Sequence, residues 1–347
     1  LSVPDGKPPR AVIFGCAGAS LSGEEHRFFR EADPFGFILF ARNCSDPEQL
    51  KTLVAELRDS VQRRDAPVLI DQEGGRVARL KEPHWRHPPP QGIFAELAEH
   101  SIDNAKRAAY LNARLIGREL AAAGITVDCL PVLDLPQPGA HQIIGDRALG
   151  RNPETIAALG QAICEGLLAE AVLPVIKHLP GHGRAGVDSH KELPIVDATL
   201  ETLRETDFAP FRSLALRPWA MTAHVVYTAI DPDRAATVSP EVISTVIRGE
   251  IGFMGLLLSD DLGMEALAGN LAERASASLA AGCDLALHCS GVIEEMKLVA
   301  EGTPPMTHDA EGRAQYAEAL RLGEGASGKP AFSEMLAEYE TLTGGNC

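Results

Sequence analysis

Short apolar runs and amphipathic stretches alternate along this chain from end to end. Eight runs have the length of strands: 11–16, 36–40, 67–71, 126–133, 173–178, 220–224, 255–260 and 284–289. Between them, apolar residues return every three or four positions, the period of a helix with one buried face. The pattern predicts helices over 47–63, 102–123, 153–169, 200–216, 240–250 and 264–281. Pro153 at a first turn and the Ser239-Pro240 pair carry start signals: an N-cap side chain, and a proline whose missing N–H is not needed there. Strands alternating with helices imply parallel pairing, and eight such units imply a closed barrel more than an open sheet. The expected fold class is α/β, a single-domain (β/α)8 TIM-like barrel over 1–347. Its core is expected over about 11–302 and a C-terminal covering helix over about 329–342. The proline-rich piece 83–90 is too short for a linker and reads as a surface loop.

Composition narrows the functional classes. Hydrophobic residues make up 45% and charged residues 23%, enough for a large core without metal or disulfide staples. A net charge of −16 argues against nucleic acid or an anionic membrane as the main partner. Seven cysteines at irregular spacing read as reduced thiols, with Cys16, Cys283 and Cys289 as small buried hydrophobes. No apolar run reaches membrane-spanning length and residues 1–10 hold no signal-peptide core, so a cytoplasmic location is expected.

The polar residues fall in phase with the strands. Val68-Leu69-Ile70 runs into Asp71-Gln72-Glu73-Gly74-Gly75-Arg76, with Arg79 just after. Pro131-Val132-Leu133 ends in Asp134, Ala220-Met221-Thr222 leads to His224, and Leu256-Leu257-Leu258 ends in Ser259-Asp260-Asp261. The densest stretch, Leu173 to Pro194, begins as a buried strand and delivers Lys177 and His178 where that strand stops. Pro180, Gly181 and Gly183 then forbid regular structure, and the loop carries His182, Asp188 and His190. In a parallel barrel all strand C-termini open on one face, so these groups would converge there. Carboxylates and bases without a serine nucleophile elbow point to acid/base or carboxylate-nucleophile chemistry on a polyhydroxylated substrate.

Five segments make the chain similar to glycoside hydrolase family 3, in particular to its bacterial β-N-acetylhexosaminidases of the NagZ type. They are D-Q-E-G-G-R-V-A-R at 71–79, G-D-R at 145–147, K-H-L-P-G-H-G at 177–183, D-S-H at 188–190 and S-D-D-L-G-M at 259–264. Gly186 and Gly263 depart from the common pattern. The resemblance implies Asp260 as nucleophile, His190 as general acid/base and Asp188 as its dyad partner. It implies Asp71, Arg79, Arg147, Lys177 and His178 as the residues holding an N-acetylglucosamine (GlcNAc) unit. The implied reaction is retaining release of GlcNAc from GlcNAc-1,6-anhydro-N-acetylmuramic acid muropeptides in peptidoglycan recycling. The implied partner is thus a muropeptide or other GlcNAc-containing disaccharide, with no nucleic acid, no membrane insertion, no cofactor and no metal. A monomer is expected.

Other readings stay open on the residues alone. A β-N-acetylglucosaminide phosphorylase or a broader β-glycosidase would use the same side chains. A metal-dependent hydrolase could draw on His178, His182, His190, His224 and Asp260, although the glycine-rich loop is a poor frame for a metal. A sugar-binding protein without turnover is a third class. Individual residues also have plainer roles. Asp261 is expected to face away from the site as the strand alternates. His182 is expected to shape its loop, Glu73 to pair with an arginine, and Arg76 and Asp146 to form loop salt bridges. Met264 reads as core, and His224 as either a ligand contact or a support behind one.

Overall fold

The computed structural model describes residues 7–189, 192–324 and 330–345. Each predicted apolar run overlaps a strand of one closed parallel barrel. The strands are β1 (Arg10–Phe14), β2 (Pro34–Leu39), β3 (Val68–Ile70), β4 (Val127–Asp128), β5 (Leu173–Leu179), β6 (Trp219–Thr222), β7 (Leu256–Asp261) and β8 (Leu285–His288). β1 closes the ring on β8, with Val12 opposite Ala286 and Phe14 opposite His288. Alternation sorts the side chains into two apolar layers. Ile13, Phe35, Leu69, Val127, Val175, Trp219, Leu256 and Leu285 fill one cluster, with a member from every strand. Val12, Phe37, Ile70, Ile176, Ala220 and Leu257 join the helices in the other.

The helices start where capping chemistry allows. Asp46 accepts the N–H groups of Glu48 and Gln49 ahead of Pro47–Ser60, and Asn152 accepts that of Thr155 ahead of Pro153–Ala169. The predicted 200–216 helix is broken into Leu200–Glu205 and Ala209–Ser213. Pro210 explains the break, because it lacks the N–H that a continuous helix would use. The predicted 264–281 helix begins only at Leu271, where Asn270 caps the Glu273 N–H after Gly269 at φ +85°. The predicted 126–133 strand shortens to two residues, and Pro131 has no donor for the ladder. Piece 83–90 is not a free surface loop: Trp85 is buried, and Pro88 to Pro90 pack on Gly74 and Gly75.

Helix His308–Glu324 packs Ala310, Ala314 and Ala317 against the inner apolar layer at the strands' N-terminal end, where Arg313 reaches Asp284 at 2.6 Å. Helix Phe332–Thr343 packs instead on Ile102–Ala122, with Arg107 bidentate to Glu338 at 2.7 Å. On the opposite, C-terminal face a small sheet of Ile195–Val196, Val226–Tyr227 and Asp231–Ala235 braces the loop after β5. Tyr227 Oη donates to the Gly181 carbonyl there at 2.5 Å. Among the described residues no helix is long and apolar enough to cross a membrane.

Candidate active site

The strand C-termini surround a cavity of about 280 Å³. Asp71, Arg79, Arg147, Lys177, His178 and Asp260 all line it, so six of the eight predicted site residues meet. Asp188 is half-buried and is not among the lining residues; its carbonyl accepts the Glu192 N–H at 3.0 Å. His190 lies outside the described residues.

The loop after β3 is held rigidly from behind. The Gln72 side chain accepts the N–H groups of Arg79 (2.8 Å) and Leu80 (3.0 Å) and donates to the Leu80 carbonyl (3.1 Å). Gly74 turns the chain at φ +103°, where a Cβ would stand 2.1 Å from the Pro89 carbonyl oxygen, so only glycine fits. This frame presents Asp71 and Glu73 to Lys177, two residues before the end of β5. Lys177 Nζ lies 2.9 Å from Asp71 Oδ1 and 2.7 Å from Glu73 Oε1. Arg79 takes the other Asp71 oxygen at 3.2 Å, and Arg147 binds both Glu73 oxygens at 2.8 Å. Burial would push both carboxyls up. The bases overcome it: Lys177 and Arg79 hold Asp71 well below the carboxylate range, and Arg147 with Lys177 bring Glu73 to about 2. The two acids in turn hold buried Lys177 charged, raised above its ordinary value. The expected pairing of Glu73 with an arginine is present, and Arg76 pairs with Asp146 at 3.0 Å.

Next to Lys177, across a cis peptide bond, stands His178. Its Nδ1 is 2.6 Å from Asp134 Oδ2, which leaves Nε2 as the nitrogen available to a ligand. Asp134 also accepts the N–H of His178 (3.2 Å) and of His182 (2.7 Å). Burial pushes its carboxyl up, but His178 and His182 bring it down to about 2. His182 does more than shape its loop. It lines the cavity, and its Nε2 lies 2.9 Å from Ser189 Oγ, inside the D-S-H segment. Burial lowers its own value to about 4, so it is neutral at physiological pH. The sequence placed Asp134 at a strand end without assigning it a partner, and it did not single out Ser189. Ser189 carried no signal beyond its neighbours.

Asp260 is the penultimate residue of β7, and its Oδ1 accepts the Asp261 N–H at 2.8 Å. Asp261 is not turned away, contrary to expectation: it also lines the cavity. Pairing of β7 with β8 shifts register between Leu258 and Asp261, so strict alternation fails at the strand end. Its carboxylate is nonetheless structural, accepting the N–H groups of Gly263 (3.0 Å) and Cys289 (3.1 Å). His224 supports from behind. It is fully buried, donating Nε2–H to the Asp261 carbonyl (3.0 Å) and accepting from Thr237 at Nδ1 (2.7 Å). Met264 lines the cavity rather than the core alone, and Cys289 is a half-buried wall residue. Among the described residues no group of three or more His, Cys, Asp or Glu is placed to hold a metal ion.

A carboxyl group, Asp260, beside a fixed array of donors and acceptors suits a monosaccharide with several hydroxyl groups. Known proteins point the same way. Residues 23–308 match the Glycosyl hydrolase family 3 N terminal domain. The Beta-hexosaminidase of Alkalilimnicola ehrlichii is 40% identical over 283 residues, covering 80% of each chain. That of Neisseria gonorrhoeae is 36% identical over 354 residues, covering 97% of this chain and 96% of its own. The crystal structure of NagZ from Neisseria gonorrhoeae in complex with N-trifluoroacetyl-D-glucosamine superposes with a TM-score of 0.85 at 33% identity, over 97% of this chain and 98% of that one. The chain belongs to glycoside hydrolase family 3, among its β-N-acetylhexosaminidases of the NagZ type.

Proposed function

We propose that this β-N-acetylhexosaminidase releases terminal GlcNAc, with retention, from GlcNAc-1,6-anhydro-N-acetylmuramic acid muropeptides in peptidoglycan recycling, a cytoplasmic task. The observation that carries the reading is the meeting of Asp260 with the Asp71–Lys177–Arg79 array in one cavity of monosaccharide size. A related enzyme's complex with N-trifluoroacetyl-D-glucosamine supports GlcNAc as the occupant.

In the first step the Asp260 carboxylate attacks the anomeric carbon, forming a bond to it as the glycosidic C–O bond breaks. His190 gives its proton to the departing oxygen. In the second step water attacks the same carbon, His190 takes its proton, and Asp260 leaves as carboxylate. Two inversions give net retention. A histidine acid titrates near neutrality, and its neutral form adds no negative charge beside Asp260. Asp188 fixes its tautomer and stabilises the imidazolium, as orienting carboxylates do in other dyads. Asp71, Arg79, Lys177, His178 and Arg147 orient the sugar, Arg147 by holding Glu73 and thereby Lys177. Burial by side chains already charged and mutually bonded means that little reorganisation is needed when substrate enters.

The test is proton NMR of fresh product from a GlcNAc-anhydro-muramyl peptide, in phosphate and in phosphate-free buffer. β-GlcNAc appearing first, at equal rates in both buffers, supports the proposal. α-Configured product overturns retention, a GlcNAc 1-phosphate product makes the protein a phosphorylase, and no release overturns the substrate.

A further inference from the structure

Asp128 is a buried acid for which the reaction above has no task. It ends β4 and is 0% exposed. Its Oδ1 accepts the Gln72 N–H at 2.9 Å. Its Oδ2 is buried with no hydrogen-bond partner among the described residues. Lys177, whose charge would favour ionisation, is already bound to Asp71 and Glu73, whose charges oppose it. The adjoining Cys129 thiol is pushed far up by burial and carries no charge. One N–H is too little to hold a buried carboxylate anion, whereas a neutral acid is tolerable there. The residue that Asp128 anchors is Gln72, which sits between Asp71 and Glu73 and pins the loop to Arg79 and Leu80.

We propose that Asp128 is a positioning residue for sugar binding, carried as the neutral acid: it anchors the sugar-binding loop through Gln72 and keeps a third negative charge away from Asp71 and Glu73. The proposal rests on the reading of Asp71, Arg79 and Lys177 as the sugar-holding set. Burial pushes the carboxyl up to about 8; the Gln72 N–H and Lys177 oppose that shift, and Asp71 and Glu73 add to it. Above that pH the new charge competes for Lys177 and loosens the array that orients the sugar. The acid's stabilising contribution is complete below its ordinary value of 3.8 and is lost as pH rises through about 8. An asparagine suffers no such loss.

The experiment compares wild type with Asp128→Asn and Asp128→Ala in two measurements. Melting temperature is followed from pH 4 to 9, and GlcNAc affinity by calorimetry from pH 6 to 9.5. Asp128→Asn should gain on wild type in melting temperature as pH rises from 4 to 8. Wild-type affinity should weaken above pH 8, approaching roughly tenfold per pH unit, while Asp128→Asn loses that alkaline limb. Asp128→Ala, without the anchor, should bind more weakly at every pH. A melting-temperature gap that is constant with pH, or the same alkaline limb in Asp128→Asn, overturns the proposal. The melting series does not depend on the ligand, so absence of GlcNAc binding with a widening gap counts against the function alone. If Asp128→Asn does not fold, carboxyl carbon NMR of aspartate-labelled protein decides. Asp207, another aspartate raised by burial, is removed as Asp207→Asn. A remaining aspartate titrating near pH 8 supports the proposal, and none titrating above pH 7 overturns it.

Discussion

Replacing Lys177 by methionine should destabilise the protein by about 3 kcal/mol at neutral pH, and the penalty should fade in acid. The side chain is 2% exposed and carries two ion pairs, at 2.9 Å to Asp71 and 2.7 Å to Glu73. Methionine fills a similar volume, so no large cavity forms. The loss is electrostatic: two buried carboxylates give up their shared cation. Removing one partner of a buried pair costs about 3–5 kcal/mol. Here the lower end applies, because Arg79 still holds Asp71 and Arg147 still holds Glu73. About 3 kcal/mol is roughly a hundredfold in the folding equilibrium and about 4 °C in melting temperature for a chain of 347 residues.

The pH dependence follows from the signs. Both acids are depressed in the folded protein, so what they contribute is present above their ordinary values and is lost as pH falls through the folded ones. For Glu73 that window runs from 4.5 down to about 2. In Lys177→Met the acids protonate earlier, and the two stability curves converge as pH drops through this range. Urea unfolding at pH 7, 5, 4 and 3 measures it, with the urea dependence checked for constancy between the two proteins. A penalty below about 1 kcal/mol at pH 7, as for a surface pair, would refute the reasoning. So would a penalty unchanged between pH 7 and 3.

Further outcomes follow from the same geometry. Asp134→Asn keeps the shape but loses the charge that holds His178 Nδ1 and two backbone N–H groups; stability should fall by about 1.5–3 kcal/mol, and kcat/KM by roughly 10–100-fold, read by thermal unfolding and steady-state kinetics. Gly74→Ala should cost at least about 2 kcal/mol from its positive φ and the approach to Pro89, whereas Gly186→Ala, with nothing within 4 Å of the added Cβ, should stay within about 0.5 kcal/mol in the same denaturation assay. Exhaustive chelation should leave turnover unchanged, since the proposed steps use only carboxylate and imidazole; loss restored by zinc would revive the metal reading.

The barrel was legible because every strand overlaps a compact apolar run, and five of those runs end in polar residues. Its breaks were less so, since they depend on which donors a ladder or helix needs: Pro131 ends β4 early and Pro210 divides a helix that the periodicity makes continuous. Helix His308–Glu324 escaped because its buried face is made of alanines, small enough for the barrel end but weak as an apolar signal. The two-residue strands of the small sheet carry no period at all. In the site, Asp71, Lys177 and Asp260 could be read from strand ends. The bonds of Asp134 to His178 and of His182 to Ser189 could not, for they form only when separate loops fold onto one another.

The proposed mechanism makes Asp260 the nucleophile of a GlcNAc-specific hydrolase. It is tested most directly by turnover of 4-nitrophenyl N-acetyl-β-glucosaminide, with the glucoside as control, by wild type and Asp260→Ala. Release is expected from the GlcNAc substrate alone, reduced by roughly 10³-fold or more in a folded Asp260→Ala protein. Undiminished release by that variant, or no release from either sugar by wild type, would contradict it.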